Sequence, residues 1–268
     1  MSLRPIAGPS RRLILPCTRS HSTASRPTPS HAYAVPPPLP SRPGPPPPPP
    51  PRTEATSSRP NLTPDQHDLI ARIVRVDQAG ELGANWIYRG QKWGSAVRGD
   101  KKTAKEVEGM WASERHHLAV MKLVQQQHRV RPTLLYPLWQ AMAFGLGAGT
   151  ALMGREAAMA CTEAVETVIG EHYDDQLRAL KPLLESTAST AVSPINPNAD
   201  TVADADAVTP PHPSLPLLAS VLEEFRDDEL EHLDIAVEGG AQKAPGHSLL
   251  SAVIGFGCKA AIKVCERV

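Results

Sequence analysis

Residues 225–234 read FRDDELEHLD, and Glu229 and His232 stand three apart within a run whose large apolar residues keep helical step. Leu218, Leu222, Phe225, Glu229, His232 and Ala236 recur every three or four positions, the spacing that lines up side chains on one face of a helix. That face is otherwise apolar, so a glutamate and a histidine occupy core positions. A second segment repeats the pattern, with Val107, Met110, Glu114, His117, Met121 and Val124. Two more seams carry a single glutamate each: Ile70, Ile73, Asp77, Glu81, Ala84, Tyr88, and Met159, Thr162, Glu166, Ile169, Tyr173, Leu177, Leu180.

Working outward, these seams predict helices over about 64–92, 101–128, 154–181 and 215–237, and hence an all-α domain built on four helices. Thr63-Pro64-Asp65-Gln66 supplies a start signal for the first, with Thr63 as cap, Pro64 at the first helical position and Gln66 closing a capping box. Pro132–Gly154 is an uncharged stretch between Arg131 and Arg155, long enough to span a bilayer. Pro137 and the glycines at 145, 147, 149 and 154 are expected to break it into a buried or interfacial crossover. Residues 247–266 predict a last, mostly apolar helix with Lys259, Lys263 and Arg267 toward its end, suited to capping the bundle or facing a membrane.

The two remaining segments read as unfolded. Residues 1–60 hold 18 of the 29 prolines, including Pro45–Pro51, with eight arginines, no lysine and one acid, Glu54. Missing backbone donors and few apolar side chains argue against a packed core there. Arg4, Arg11 and Arg12 around Leu13-Ile14-Leu15 give the look of a mitochondrial transit peptide followed by a proline-rich linker. Residues 186–214 are polar and proline-punctuated, a loop or disordered insert in the 61–268 domain. That domain carries 20 basic and 27 acidic side chains, so the neutral total joins two oppositely charged parts and nothing points to a nucleic-acid partner. Cys17, Cys161, Cys258 and Cys265 form no C-x-x-C pair, which fits a reduced compartment and buried thiols.

Four carboxylates on core seams need compensation. Burying one ionised carboxylate costs several kcal/mol even after relaxation, against a domain stability of only about 5–15 kcal/mol. Two divalent cations cancel the charges of Glu81, Glu114, Glu166 and Glu229, while His117 and His232 ligate as neutral imidazoles. One glutamate from each of two helices plus a Glu-x-x-His from each of two others matches the ligand scheme of di-iron and di-manganese carboxylate bundles with a ferritin-like fold. Oxygen-rich ligation with two imidazoles suits iron or manganese better than zinc. Iron is favoured because a buried carboxylate pair holding two Fe(II) can reduce O2. Asp77, one turn before Glu81, is a candidate acceptor for the second ring proton of a ligand histidine, or a surface salt-bridge partner. His172 and Tyr173 are candidates for an electron or proton relay, with Tyr173 as plain core filling the alternative. His116, Glu108, Glu163, Glu223, Glu224 and Glu231 fall off the seams and are expected to be solvated.

In RVDQAGELGAN (75–85), GLGAGTALMG (145–154), GREAAMACTEAVETVIGEHYDDQLR (154–178) and FRDDELEHLD, the chain resembles the mitochondrial demethoxyubiquinone hydroxylases over essentially the whole folded domain. The resemblance implies a ferritin-like four-helix bundle with extra short apolar helices, at the crossover and the carboxyl end. It also implies O2-dependent hydroxylation of a demethoxyubiquinol ring with a polyprenyl tail, the penultimate step of ubiquinone synthesis. The six iron ligands implied are Glu81, Glu114, His117, Glu166, Glu229 and His232, with Glu114 and Glu229 bridging. Further implications are peripheral association with the matrix face of the mitochondrial inner membrane and membership of a ubiquinone-synthesis complex that includes a lipid-binding partner. Electrons are expected from NADH directly or through a reductase. Gly255-x-Gly257-x-x-Ala260 is a partial nucleotide fingerprint without a preceding strand, better explained by helix packing. A non-catalytic iron-storage protein would share the ligand scheme, but the apolar stretches 132–154 and 247–258 argue against a soluble shell. A scaffold subunit whose metal only stabilises the fold is the third reading.

Overall fold

The computed structural model describes residues 28–33, 35, 53–186 and 211–268, and among these there are helices and no strand. A short helix α1 (Glu54–Ser57) precedes the long α2 (Pro64–Val97) and α3 (Lys101–His128), followed by α4 (Tyr136–Met153), α5 (Arg155–Ser186), α6 (Ser214–Glu238) and α7 (His247–Cys265). The Thr63 side chain accepts from the Gln66 amide and Gln66 answers to the Thr63 amide, so α2 starts on the predicted capping box. A three-residue link joins α2 to α3 and sends the chain back along itself, as short connections in bundles do. α2 packs against α3 and α4, and α5 against α6 and α7.

All four predicted seams face inward. Ile70, Ile73, Val120, Met121, Val124, Leu218, Leu222 and Phe225 fill one end of the core, and Tyr88, Val107, Met110, Met159 and Ala236 the other. The polar seam residues lie between these two apolar plugs, so water is excluded from both ends of the site.

The crossover departs from expectation. Pro137 sits in the first turn of α4, where its missing N–H has no helical partner to lose, and the segment runs on as one unbroken helix. Gly147 serves contact: a Cβ on it would lie 2.0 Å from the Ile87 carbonyl oxygen, and one on Gly90 of α2 would lie 2.3 Å from that of Phe144. α2 and α4 therefore touch backbone to backbone. Gly154, at φ +135°, makes the corner between α4 and α5 that a side chain would resist.

Within the proline-rich leader, Pro29–Tyr33 forms a 3₁₀ turn docked on the bundle. Ser30 is fully buried, and Tyr33 enters the core and donates to Gln127 Oε1. The expected transit peptide at residues 1–27, the proline run and most of the 186–214 insert lie outside the described residues.

Candidate metal centre

Glu81, Glu114, Glu166, Glu229, His117 and His232 are all buried, and the fold brings the six together at mid-height of the bundle. They fall into two overlapping groups whose ligand atoms lie within 4.8 Å of one another: Glu81, Glu114, His117 and Glu229, and Glu114, Glu166, Glu229 and His232. Glu114 and Glu229 belong to both. His117 Nδ1 lies 3.5 Å from Glu81 Oε2 and 3.3 Å from Glu229 Oε1, and His232 Nδ1 lies 3.0 Å from Glu114 Oε1 and 3.4 Å from Glu229 Oε2. Both imidazoles thus turn the same nitrogen toward the carboxylates.

The electrostatics are those of a cage short of positive charge. Burial and the neighbouring Glu229 push Glu114 up to about 8, and burial with the Glu229 and Glu114 charges pushes Glu166 well above the usual carboxylate range. Burial works to lower His232, but the facing carboxylates of Glu114 and Glu229 carry it to about 11. Burial likewise opposes the His117 charge, and Glu81, Asp228 and Glu229 overcome it and raise that group too. Burial raises Glu229, yet the two histidines facing it hold it below its ordinary range. Protons here do the work that cations do better. Glu81 Oε2, both Glu114 oxygens, Glu229 Oε2 and the Nδ1 atoms of His117 and His232 are buried with no hydrogen-bond partner. Orphaned buried polar atoms are rare and ask for an explanation, such as an ion. These residues fit a pair of metal ions.

Tyr88, Asp228, Gln176 and Asn85 support the cluster and were missed from the sequence, whereas Tyr173 was a candidate. Tyr88 on α2 donates to Glu166 Oε1 at 2.6 Å, and Tyr173 on α5 donates to Glu81 Oε1 at 2.7 Å. The exchange is reciprocal, and Glu81…Tyr88 and Glu166…Tyr173 share one spacing, a repeat that could have flagged Tyr88. Asp228, not Asp77, partners a cluster histidine: its Oδ2 is 3.0 Å from His117 Nε2. That contact puts the proton on Nε2 and leaves the Nδ1 lone pair for the cage. Asp77 instead accepts from Gln176, whose amide nitrogen also lies 2.9 Å from His172 Nε2. Asn85 ties the helix backbones together, donating to the Glu81 and Glu114 carbonyls while accepting from Trp111.

Four residues expected to be solvated have partners. Glu224 accepts from the Ser30 amide and hydroxyl at 2.7 Å each, Ser30 Oγ contacts His116 Nε2 at 2.9 Å, and Glu163 pairs with His247 at 2.5 Å. Glu108 links Lys92 and Arg115.

A cavity of about 340 Å³ leads from the cluster to the surface between α4 and α7. Glu81, Glu114, Glu166, Glu229, His172 and Tyr173 line its inner end, and Trp139, Met142, Leu146, Val253 and Ile262 its apolar walls. Of its lining residues Met142 and Val253 are exposed, and so are Leu138 on α4 and Leu249 and Phe256 on α7. α7 is the one described helix long and apolar enough to cross a membrane, by length and composition alone. Gly255 and Gly257 lie inside α7, as helix packing rather than a nucleotide loop requires.

A family model described as ubiquinone biosynthesis protein COQ7 matches residues 68–265. The chain is 42% identical over 210 residues to the mitochondrial 5-demethoxyubiquinone hydroxylase of Saccharomyces cerevisiae, covering 78% of this chain and 82% of the relative. It is 40% identical over 199 residues to the mitochondrial NADPH-dependent 3-demethoxyubiquinone 3-hydroxylase of Homo sapiens, covering 74% and 78%. With the 3-demethoxyubiquinol 3-hydroxylase of Rhodospirillum rubrum it shares 42% over 206 residues, covering 76% and 81%.

Proposed function

Because the chain belongs to the COQ7 family of ubiquinone biosynthesis proteins, we propose that it hydroxylates the ring of a polyprenyl demethoxyubiquinol in mitochondria, at a di-iron centre and with O2. It is a hydroxylating oxidoreductase of ubiquinone synthesis, as its relatives are named. The observation that carries the di-iron reading is the pair of four-residue groups sharing Glu114 and Glu229. Glu114 and Glu229 would hold both ions in common, with Glu81 and His117 holding one and Glu166 and His232 the other.

When bound, the irons supply activation of O2 for insertion of one oxygen atom into the ring. The protein's own groups do the rest. Asp228 fixes the His117 tautomer, and Tyr88 and Tyr173 hold Glu166 and Glu81 by their outer oxygens. Tyr173 and His172 stand where the cavity meets the cluster and are the candidate path for electrons or protons entering the site. Its apolar walls accept a ring and the start of a polyprenyl tail while keeping water from the reacting atoms.

Electrons come from a reduced nicotinamide nucleotide, directly or through a reductase; the human relative's name specifies NADPH, where NADH was the expectation. The exposed apolar rim supports peripheral docking on the matrix face of the inner membrane, and contact with a lipid-binding partner of a ubiquinone-synthesis complex. The storage reading is disfavoured by the same rim and by the cavity.

Single turnover tests the proposal. Protein loaded anaerobically with Fe(II) and a short-tail demethoxyquinol, then mixed with ¹⁸O2, is expected to yield a ring hydroxyl carrying the label. Glu229→Ala and Glu166→Ala should lose both the coupled Mössbauer signal and the product. Iron retained with no product from the unsubstituted protein refutes the enzymatic reading and favours storage.

A further inference from the structure

Asp77 is left over when the cluster is accounted for. It lines the cavity, is 5% exposed, and belongs to neither group of metal-ligating side chains. Its Oδ1 accepts from Gln176 Nε2 at 2.5 Å, and that amide also reaches His172 Nε2 at 2.9 Å. With its two hydrogens given to Asp77 and His172, Gln176 fixes His172 Nε2 as an acceptor and leaves the ring proton on Nδ1. Asp77 Oδ2, by contrast, is buried with no partner at all. The orphaned atoms of the six cluster residues are explained by cations; this one is not.

A purely structural part is complete without Oδ2. The tie between α2 and α5 needs only the oxygen that meets Gln176, and a buried carboxyl is a costly way to make it. Burial pushes the Asp77 carboxyl well above its ordinary range; Gln176 draws it back in part and the Glu81 charge raises it again. A neutral carboxyl gives Oδ2 a hydrogen to donate, in a lining whose other ionisable side chains outside the four glutamates are His172, Tyr173 and the cysteines. The matching ligand feature is an acceptor oxygen on a flat, mostly apolar body.

We propose that Asp77 is a specificity-determining residue, donating from Oδ2 to a carbonyl or methoxy oxygen of the substrate ring and so setting which ring carbon faces the metal cluster. Gln176 is the positioning residue that holds Asp77 and His172 in register. The inference rests on the quinone-type substrate proposed above.

The test compares two probes, a decyl-substituted methoxybenzoquinone and decylbenzene, which has the same tail and no ring oxygen. Binding to the full chain is read by titration calorimetry, with quenching of tryptophan fluorescence as a check for the quinone, since Trp139 lines the cavity. Asp77→Leu is expected to weaken the quinone about tenfold, the scale of one lost hydrogen bond that leaves a partner unpaired, and to leave decylbenzene unchanged. Asp77→Asn keeps a donor and the Gln176 tie and should bind both probes as the unsubstituted protein does. In turnover, Asp77→Leu should also release products hydroxylated at the wrong carbon, which a structural role would not cause. If Asp77→Leu fails to fold, Gln176→Leu is read instead, with the same loss of preference for the quinone. Equal weakening of both probes, or of neither, overturns the role of Asp77 while leaving the quinone site standing. Failure of the unsubstituted protein to bind the quinone overturns both.

Discussion

His128 ends α3 as a buried imidazole whose Nε2 has no hydrogen-bond partner. Burial, then the nearby His212, His67 and Arg59, lower it from 6.5 to about 4. The folded state therefore holds it neutral where the unfolded chain takes up a proton. Stability from this group is complete above about pH 6.5 and is lost as pH falls toward about 4, with a loss of about 2 kcal/mol at pH 5. Urea unfolding at pH 7 and pH 5 should show that His128→Gln loses about 2 kcal/mol less on acidification; identical losses would remove the assignment. The seam pattern gave no warning of this residue, because a lone histidine at a helix end looks like any other. The six Glu and His residues were legible for the opposite reason: charged groups recurring on apolar stripes are an anomaly that one helix at a time displays. Asp228 was not legible, since it acts across to His117 on a neighbouring helix, and the repeated glutamate–tyrosine spacing marks Tyr88 without saying that it reaches Glu166. Periodicity within one segment says nothing of that pairing.

At the scale of elements, α3 begins and ends where its pattern predicted, while the crossover, whose proline and glycines were expected to break it, is the single unbroken helix α4. Glycine and proline weigh against a helix when each is scored alone, and what overrode them was a partner surface the sequence does not display. Gly147 and Gly90 let α4 lie on α2, and α4 in turn supplies Trp139, Met142 and Leu146 to the cavity wall. Gly147→Ala must move backbone, so it is expected to cost about 2 kcal/mol or more and to impair quinone turnover. Gly149→Ala meets open space on the same helix and should instead stabilise by about 0.5–1 kcal/mol. Thermal unfolding of the pair checks the opposite signs. α7 raises a different question, because its outward residues Leu249, Val253 and Phe256 have nothing over them in the described chain. If they dock on lipid, Phe256→Glu with Leu249→Glu should abolish co-sedimentation with anionic vesicles yet retain iron. Unchanged sedimentation would count against the membrane-facing rim.

Across the whole molecule, the boundary between leader and domain is less sharp than composition makes it. Eighteen prolines in the first sixty residues argue against a second core, but they do not prevent a short segment from borrowing the existing one. Ser30 gives both its amide and its hydroxyl to Glu224 on α6 and meets His116 on α3, the neighbour of His117. Tyr33 adds its ring to the core and its hydroxyl to Gln127, which in turn holds the Ala55 and Ser58 carbonyls. The strap therefore bridges the two helices that carry the Glu-x-x-His pairs. Burying a tyrosine stabilises by several kcal/mol, and ordering six residues of chain offsets much of it, which leaves a net of about 2 kcal/mol. A chain starting at residue 28 should then melt about 4–8 °C above one starting at 36, and Tyr33→Ala in the longer chain should reproduce most of the difference. A processing enzyme that cut after the strap would discard that stability. The amino terminus of the protein recovered from mitochondria is accordingly expected at or before Thr28, as mass spectrometry of the intact chain would read it; a terminus beyond Tyr33, or equal melting of the two truncations, would mean that the docked turn contributes nothing to the mature enzyme.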